Sequence, residues 1–420
     1  LDANTTGSNN TAIGQDALGA ATTADSNTAV GLSALKLNET GTSNVAVGKD
    51  ALRANLANNN TAVGMDALTA NTTGHSNTAM GKNAGIALTT GDKNIAIGSD
   101  ALEAQTTADN NTAVGTSALN ANTTGDESVA IGMEAAKSNT TGSQLVAVGK
   151  GALYTNTTGA ANTAVGHQSL YYATTGDDNT AVGKEALKSA TTASDNTAVG
   201  SLAGDAITTG ASNTLVGVNA GGAITTGNNN VAIGDVALDA STTASNNTAV
   251  GYAALSASTT GSSLTAVGKD ALTANTTGDN NIGIGRDAGQ SITEGSNNIA
   301  IGVEAYETAT TANGNIAIGK GALKANTTGT ENVCIGHEAG NDITTGAGHT
   351  LIGYLAGDKI TTASQNTAVG DEALGANTGG GLNTAVGYNA MLGNTTGGDC
   401  TAVGARALDA ANAADGNTAV

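Results

Sequence analysis

The sequence predicts an all-β chain, a parallel β-solenoid of about 25 coils with a 17-residue period. Three observations carry that prediction. The phrase Asn60-Thr61-Ala62-Val63-Gly64 recurs along the chain, its first residue falling at 10, 27, 44, 60, 77, 94 and then every 17 residues to 417, which makes 25 starts. Glycine holds the fifth place of every unit that reaches it, from Gly14 to Gly404. The chain has 60 Gly, no Trp or Phe and only 7 Tyr, so large side chains to fill a thick core are absent.

Each unit is numbered here from its Asn: slot 1 is Asn60, slot 4 Val63, slot 5 Gly64, slot 8 Ala67, slot 9 Leu68 and slot 15 Gly74. Seventeen residues broken by glycine at slot 5, and usually at slot 15, cannot hold two stable helices, because glycine costs about 1 kcal/mol in a helix interior and the segments are short. Short strands remain. One is expected at slots 1 to 4, where β-branched residues concentrate, and a second around slots 8 to 13, with turns at the two glycine regions. Coils stacked at about 4.8 Å would make a rod on the order of 115 Å long.

Slot 4 is always Val, Ile or Met, and slot 8 is Ala in 23 of 24 units, the exception being Ser169. Fixed small residues imply close backbone approach. Slot 9 is Gly instead of Leu in six units (Gly85, Gly204, Gly221, Gly289, Gly340 and Gly357), and there slot 12, elsewhere mostly Asn, becomes Leu88, Ile207, Ile224, Ile292, Ile343 and Ile360. One large apolar group per coil is kept while its attachment point moves. A narrow interior of fixed volume requires this, so slots 9 and 12 are expected to reach the same space.

Within the strand, slots 2 and 4 lie on one side and slot 3 on the other. Both sides are apolar or small, with Thr, Val or Ile at slot 2, an aliphatic at slot 4 and Ala at nearly every slot 3. Such a strand reads as buried on both faces, one inside the coil and one against a partner. The expected partner is another copy of the chain.

The phrases Ser128-Val129-Ala130-Ile131-Gly132, Asn230-Val231-Ala232-Ile233-Gly234 and Asn315-Ile316-Ala317-Ile318-Gly319 resemble the head repeats of trimeric autotransporter adhesins of the YadA type, and similar units occur in trimeric phage tail fibres. The resemblance implies a left-handed β-roll, a homotrimer wound side by side, an extracellular or virion location, and attachment to a host-surface receptor or glycan. It rests on one short motif repeated over the whole chain. The period here is longer than the family's usual coil, because of the Thr-Thr-Gly stretch, and a neck, stalk and membrane anchor are missing from these residues. Adhesin, phage fibre and other filament are therefore all open.

Residues 1–420 are read as a single repeat array. Leu1 occupies the slot that Leu68 holds, Val420 stops four residues into its unit, and no atypical capping repeat is seen, so an excerpt of a longer fibre is expected. The net charge of -20 opposes binding to nucleic acid. No run of 18 apolar residues provides a membrane span. Cys334 and Cys400 fall in units four apart, too distant for a disulfide, and read as tolerated small residues.

Candidate chemistry is sparse. Asn at slot 1, present in 20 of 25 units, is read as a stacked amide ladder. Thr72-Thr73-Gly74 and its copies read as a turn whose hydroxyls bond nearby backbone, with an ice-binding array as the rival reading. At slot 7, Asp50 lies above Asp66, and Asp270, Asp287 and Glu304 follow one another on successive coils; Ca²⁺ is conceivable, but Lys269 and Arg286 beside them favour a solvated charged edge. His337, Glu338 and His349 near Cys334 suggest a metal site only superficially, since slot 6 and slot 1 of the next coil lie about 16 Å apart in extended chain. Sequons such as Asn71-Thr72-Thr73 follow from composition. No catalytic, cofactor-binding or metal-ligating residue is assigned, and no cofactor is expected. The expectation is a non-enzymatic structural or adhesive fibre segment, with a solenoid that binds ice, Ca²⁺ or glycan as the alternative.

Overall fold

A computed structural model describes residues 1–410 and 412–420. The chain divides into two compact units, Leu1–Ala211 and Ser212–Val420. Each is a parallel β-solenoid with one short strand per coil: 12 strands from Thr11–Ile13 to Thr197–Val199 in the first, and 13 from Thr214–Val216 to Thr418–Ala419 in the second. Strands pair in parallel and slot for slot, as Thr61, Ala62 and Val63 against Thr78, Ala79 and Met80. Even where one unit has 16 residues the register holds, Val45 to Val47 pairing with Thr61 to Val63.

The expected first strand forms at slots 2 to 4. The expected second strand, at slots 8 to 13, does not. There the chain runs through overlapping turns, with amide bonds from Ala34 to the Gly31 carbonyl (3.4 Å), Lys36 to Ser33 (3.3 Å) and Asn38 to Leu35 (3.2 Å). Slots 7 and 9 take positive φ, 60° at Asp66 and 52° at Leu68. An L-residue enters that region at a cost of about 1 kcal/mol, and no strand propensity anticipates it. What offsets it is coil stacking. The amide of Leu35 reaches Ala51 of the next coil at 3.0 Å, that of Leu37 reaches Arg53 at 2.9 Å, and that of Ser33 reaches Gln15 of the preceding coil at 2.9 Å. Hydrogen bonds between coils therefore continue through the turns as well as the strands.

Slot 5 shows why glycine is invariant there. Gly64 has φ 140°, and a Cβ on it would lie 2.4 Å from the carbonyl oxygen of Gly81, the slot-5 residue of the next coil. Both the torsion and the stacking exclude a side chain.

Away from the terminal coils the Leu of slot 9 and the Ala of slots 3 and 8 are buried inside the coil. The volume exchange read from the sequence has a direct geometric basis: a Cβ on Gly221 would sit 2.8 Å from Ile224 Cδ1, and one on Gly357 would sit 2.8 Å from Ile360 Cδ1. Slot 3 belongs to the same space, which the sequence reading did not recognise. Its four departures from Ala, namely Leu215, Gly283, Cys334 and Leu351, all fall in coils whose slot 9 is Gly, and Leu215 Cδ2 lies 2.8 Å from the Gly221 Cβ position. At Gly283 the room goes to the preceding coil, since Leu272 Cγ lies 2.7 Å from where its Cβ would be. Tyr306 extends the rule: it fills slot 9 fully buried, and slot 12 of that coil is only Ala309.

The asparagine ladder forms as read. Asn111 donates its backbone N–H to Asn94 Oδ1 (3.0 Å), its Nδ2 reaches the Gly125 carbonyl of its own coil (2.8 Å), and its Oδ1 accepts the Ser128 N–H (2.9 Å). Each amide thus joins a coil to both neighbours and closes it on itself. Slot 12 adds a second polar row, where Asn139 and Asn156 donate to Asn122 and Asn139 respectively, both at 2.9 Å.

Two outcomes follow. Asn111→Ala leaves the buried Ser128 N–H without its acceptor, while the Gly125 carbonyl keeps Asn122 Nδ2, and should cost about 1 to 3 kcal/mol, read as loss of hydrogen-exchange protection in the adjoining coils; unchanged protection would remove the ladder from the account. Gly340→Leu places a Cβ 2.8 Å from Cys334 Sγ and 2.9 Å from Ile343 Cδ1 of the same coil and should destabilise by about 1 to 3 kcal/mol. Adding Cys334→Ala and Ile343→Asn, the common residues of slots 3 and 12, should recover much of that loss in denaturant melts, whereas additive effects would refute a shared volume.

Candidate functional site

The polar rows noted in the sequence are largely engaged by the solenoid itself. Slot-13 hydroxyls donate from coil to coil, Thr140 to the Thr157 carbonyl (2.9 Å), Thr157 to Thr174 (2.9 Å) and Thr174 to Thr191 (2.8 Å). The slot-12 asparagine of the sequon at Asn71 is fully buried. At slot 7 the acidic run is matched by cations. Lys269 lies 3.2 Å from Asp270, and Arg286 bonds Asp287. Glu304 bonds Lys324 at 2.7 Å and Arg286 at 2.6 Å, and those hydrogen bonds, Lys324 first, hold its carboxyl down at about 2. Among the described residues no three His, Cys, Asp or Glu side chains come together as a metal site.

The structure separates the histidine and cysteine candidates. His337 lies on the surface, its ring stacked on Tyr354 at 5.4 Å between centroids. Cys334 points inward and is fully buried, which pushes its thiol pKa up. His349 occupies slot 1 and stands in for an asparagine. Its Nδ1 accepts the Asn366 N–H (3.2 Å), which leaves Nε2 as the protonated nitrogen, donating to the Ala363 carbonyl (2.8 Å). Cys400 makes a similar substitution, its Sγ lying 3.2 Å from the Ala414 carbonyl.

One place departs from the repeat in several slots at once, and the sequence reading passed over it. Slot 10 carries Tyr154 and then Tyr171 on successive coils, and slot 11 adds Tyr172, so three of the chain's 7 tyrosines gather there. The rings of Tyr154 and Tyr171 stack with centroids 4.9 Å apart and planes within 4°, and Tyr172 meets Tyr171 edge-on at 4.8 Å and 84°. Gly151 makes room for this, since a Cβ there would lie 3.2 Å from Tyr171 Cε2. Lys137 places its ammonium 5.5 Å from the Tyr154 centroid, on a side chain also held by Glu134 at 2.8 Å. That hydrogen bond raises the Lys137 pKa, and burial, with Tyr154 next, raises that of Tyr171. Beyond the stack, Lys188 pairs with Glu185 at 3.0 Å. The signals in the sequence were the adjacent Tyr171-Tyr172 and Ser169, the one non-Ala residue at slot 8, which lies in that coil. Ser169 stood out slot by slot, but the slots were read one at a time, and its coincidence with the tyrosines of the same coil was not drawn.

His349 gives a pH dependence of definite sign. Burial lowers its pKa from 6.5, so the unfolded chain takes up a proton before the folded one does. The ladder's contribution there is complete above pH 6.5 and falls as pH drops below it, by at most about 1.4 kcal/mol per pH unit. The slope should vanish in His349→Asn, which restores the amide; a wild-type stability that stays flat between pH 7 and 5 would contradict the neutral, buried assignment.

In comparisons with known proteins, no protein-family profile and no curated sequence matches the chain.

Proposed function

We propose that this chain is a non-enzymatic segment of an extracellular fibre, a spacer or host-attachment rod, whose copies associate as a homotrimer through the outer face of the strand row. The observation that carries this reading is the outward apolar stripe. Slot 3 is buried in strand after strand, whereas slots 2 and 4 face out, leaving Ile97 36%, Ile131 42% and Ile284 38% exposed. From Ile282–Ile284 to Val333–Ile335 four successive strands present only Ile or Val at both outward positions. A contiguous apolar surface of that extent marks an interaction site. The resemblance of the strand phrase to YadA-type adhesin heads and trimeric phage fibres supports the same reading, with a host receptor or glycan as its distal partner.

Charge at the two ends of the strand supports one relative direction of the copies. Slot 6, just after the strand, carries Lys49, Lys82, Lys150, Lys184, Lys269, Arg286 and Lys320, against Asp235 and Asp371. Slots 16 and 17, just before it, carry twelve carboxylates, among them Asp109, Asp126, Glu127, Asp178, Asp279 and Glu331, against Lys93 alone. Part of the basic rim is shared with slot-7 carboxylates, yet Lys184 and Lys269 remain 63% and 61% exposed. Copies related by an axis along the solenoid set the basic rim of one beside the acidic rim of the next, while an antiparallel arrangement sets like beside like.

Sedimentation should find the wild type trimeric, and Ile299→Lys with Ile316→Lys should shift it to monomer. A monodisperse wild-type monomer would refute the association. Single spin labels at Val218 and at Ala405 should each show strong dipolar coupling within the assembly; coupling at neither or only one of the two would leave association standing and refute the parallel direction.

A further inference from the structure

We propose that the tyrosine cluster of residues 154, 171 and 172 is a carbohydrate subsite that takes a neutral pyranose ring, with Tyr172 as its stacking surface. The cluster serves no evident purpose in the solenoid: elsewhere slot 11 is mostly Ala and slot 10 varies freely, so neither position requires an aromatic. The other two rings are already engaged. Tyr154 has Lys137 over its ring and stacks on Tyr171, and Tyr171 meets both Tyr154 and Tyr172. Tyr172 is 48% exposed and held nearly perpendicular to Tyr171, which restrains its ring at the solvent boundary. A pre-set aromatic plane offers apolar contact area at little ordering cost.

The rim decides the chemical class. Each ammonium near the stack has a carboxylate partner, Lys137 with Glu134 at 2.8 Å and Lys188 with Glu185 at 3.0 Å. A patch whose charges are matched in pairs has little net attraction for a phosphate or for a quaternary ammonium, and the cation–π place over Tyr154 is taken by Lys137. What remains is an aromatic surface with paired hydrogen-bonding side chains, Lys137 with Glu134 and Lys188 with Glu185, on the coils to either side. That combination suits the C–H face of a pyranose, with its hydroxyls directed to the rim.

The test uses chain 1–420 with cellotriose, maltotriose, chitotriose and mannotriose, followed by saturation-transfer NMR and by tyrosine fluorescence. At least one of these should bind. Tyr172→Ala should weaken binding about tenfold, the scale of one aromatic contact, with the melting curve unchanged, and Tyr172→Phe should retain it. Absence of binding by all four, binding indifferent to Tyr172→Ala, or stronger binding of tetramethylammonium or inorganic phosphate would each overturn the proposal. Sedimentation of the same samples reads self-association separately, so a failure of this subsite is distinct from a failure of the fibre reading.

Discussion

Everything in this fold depends on hydrogen bonding between successive coils. A coil of seventeen residues contains one strand of three residues and a long run of turns, too little to order itself. Backbone amides on the strand and through the turns reach carbonyls of the coils on either side, so each coil copies the path of its neighbours. The buried asparagine row works within the same constraint, adding side-chain bonds where the path bends into the strand. Once the backbone is forced to superpose, slot 5 can only be glycine and slot 9 can take a torsion that leucine rarely adopts.

That constraint leaves an interior one large side chain wide. Leucine at slot 9 supplies much of its volume in most coils; where isoleucine fills slot 12, with leucine at slot 3 as well in the coils of Leu215 and Leu351, slot 9 shrinks to glycine. Tyr306 with Ala309 and Leu215 with Gly221 are two solutions of the same packing problem. His349 shows the polar counterpart, an imidazole whose two nitrogens reproduce the donor and acceptor of an amide. The rows of the repeat are thus conserved in geometry and flexible in chemistry.

Much of this was legible in the sequence, and the reasons differ from element to element. Period, strand position, the asparagine row and the exchange between slots 9 and 12 are visible because they recur or covary within one chain. The second strand was misplaced because slots 8 to 13 hold residues with ordinary strand and core preferences, while their torsions are dictated by stacking that no local propensity encodes. Slot 3 was overlooked as a packing position because alanine dominates it. The tyrosine cluster was missed for the opposite reason: it departs from the repeat, and a reading built on recurrence suppresses single departures.

Gly283 carries a consequence for how such a chain can change length. A coil that fills its own interior could be duplicated or deleted by recombination without disturbing its neighbours, so most of the array can be treated as interchangeable modules. The coil of Gly283 adds a condition, because its missing side chain receives Leu272 from the coil before it. It fits behind a coil that carries a large side chain at slot 9, as the coil of Gly85 fits behind Leu68, so recombination in an otherwise uniform repeat is constrained by order at these two places.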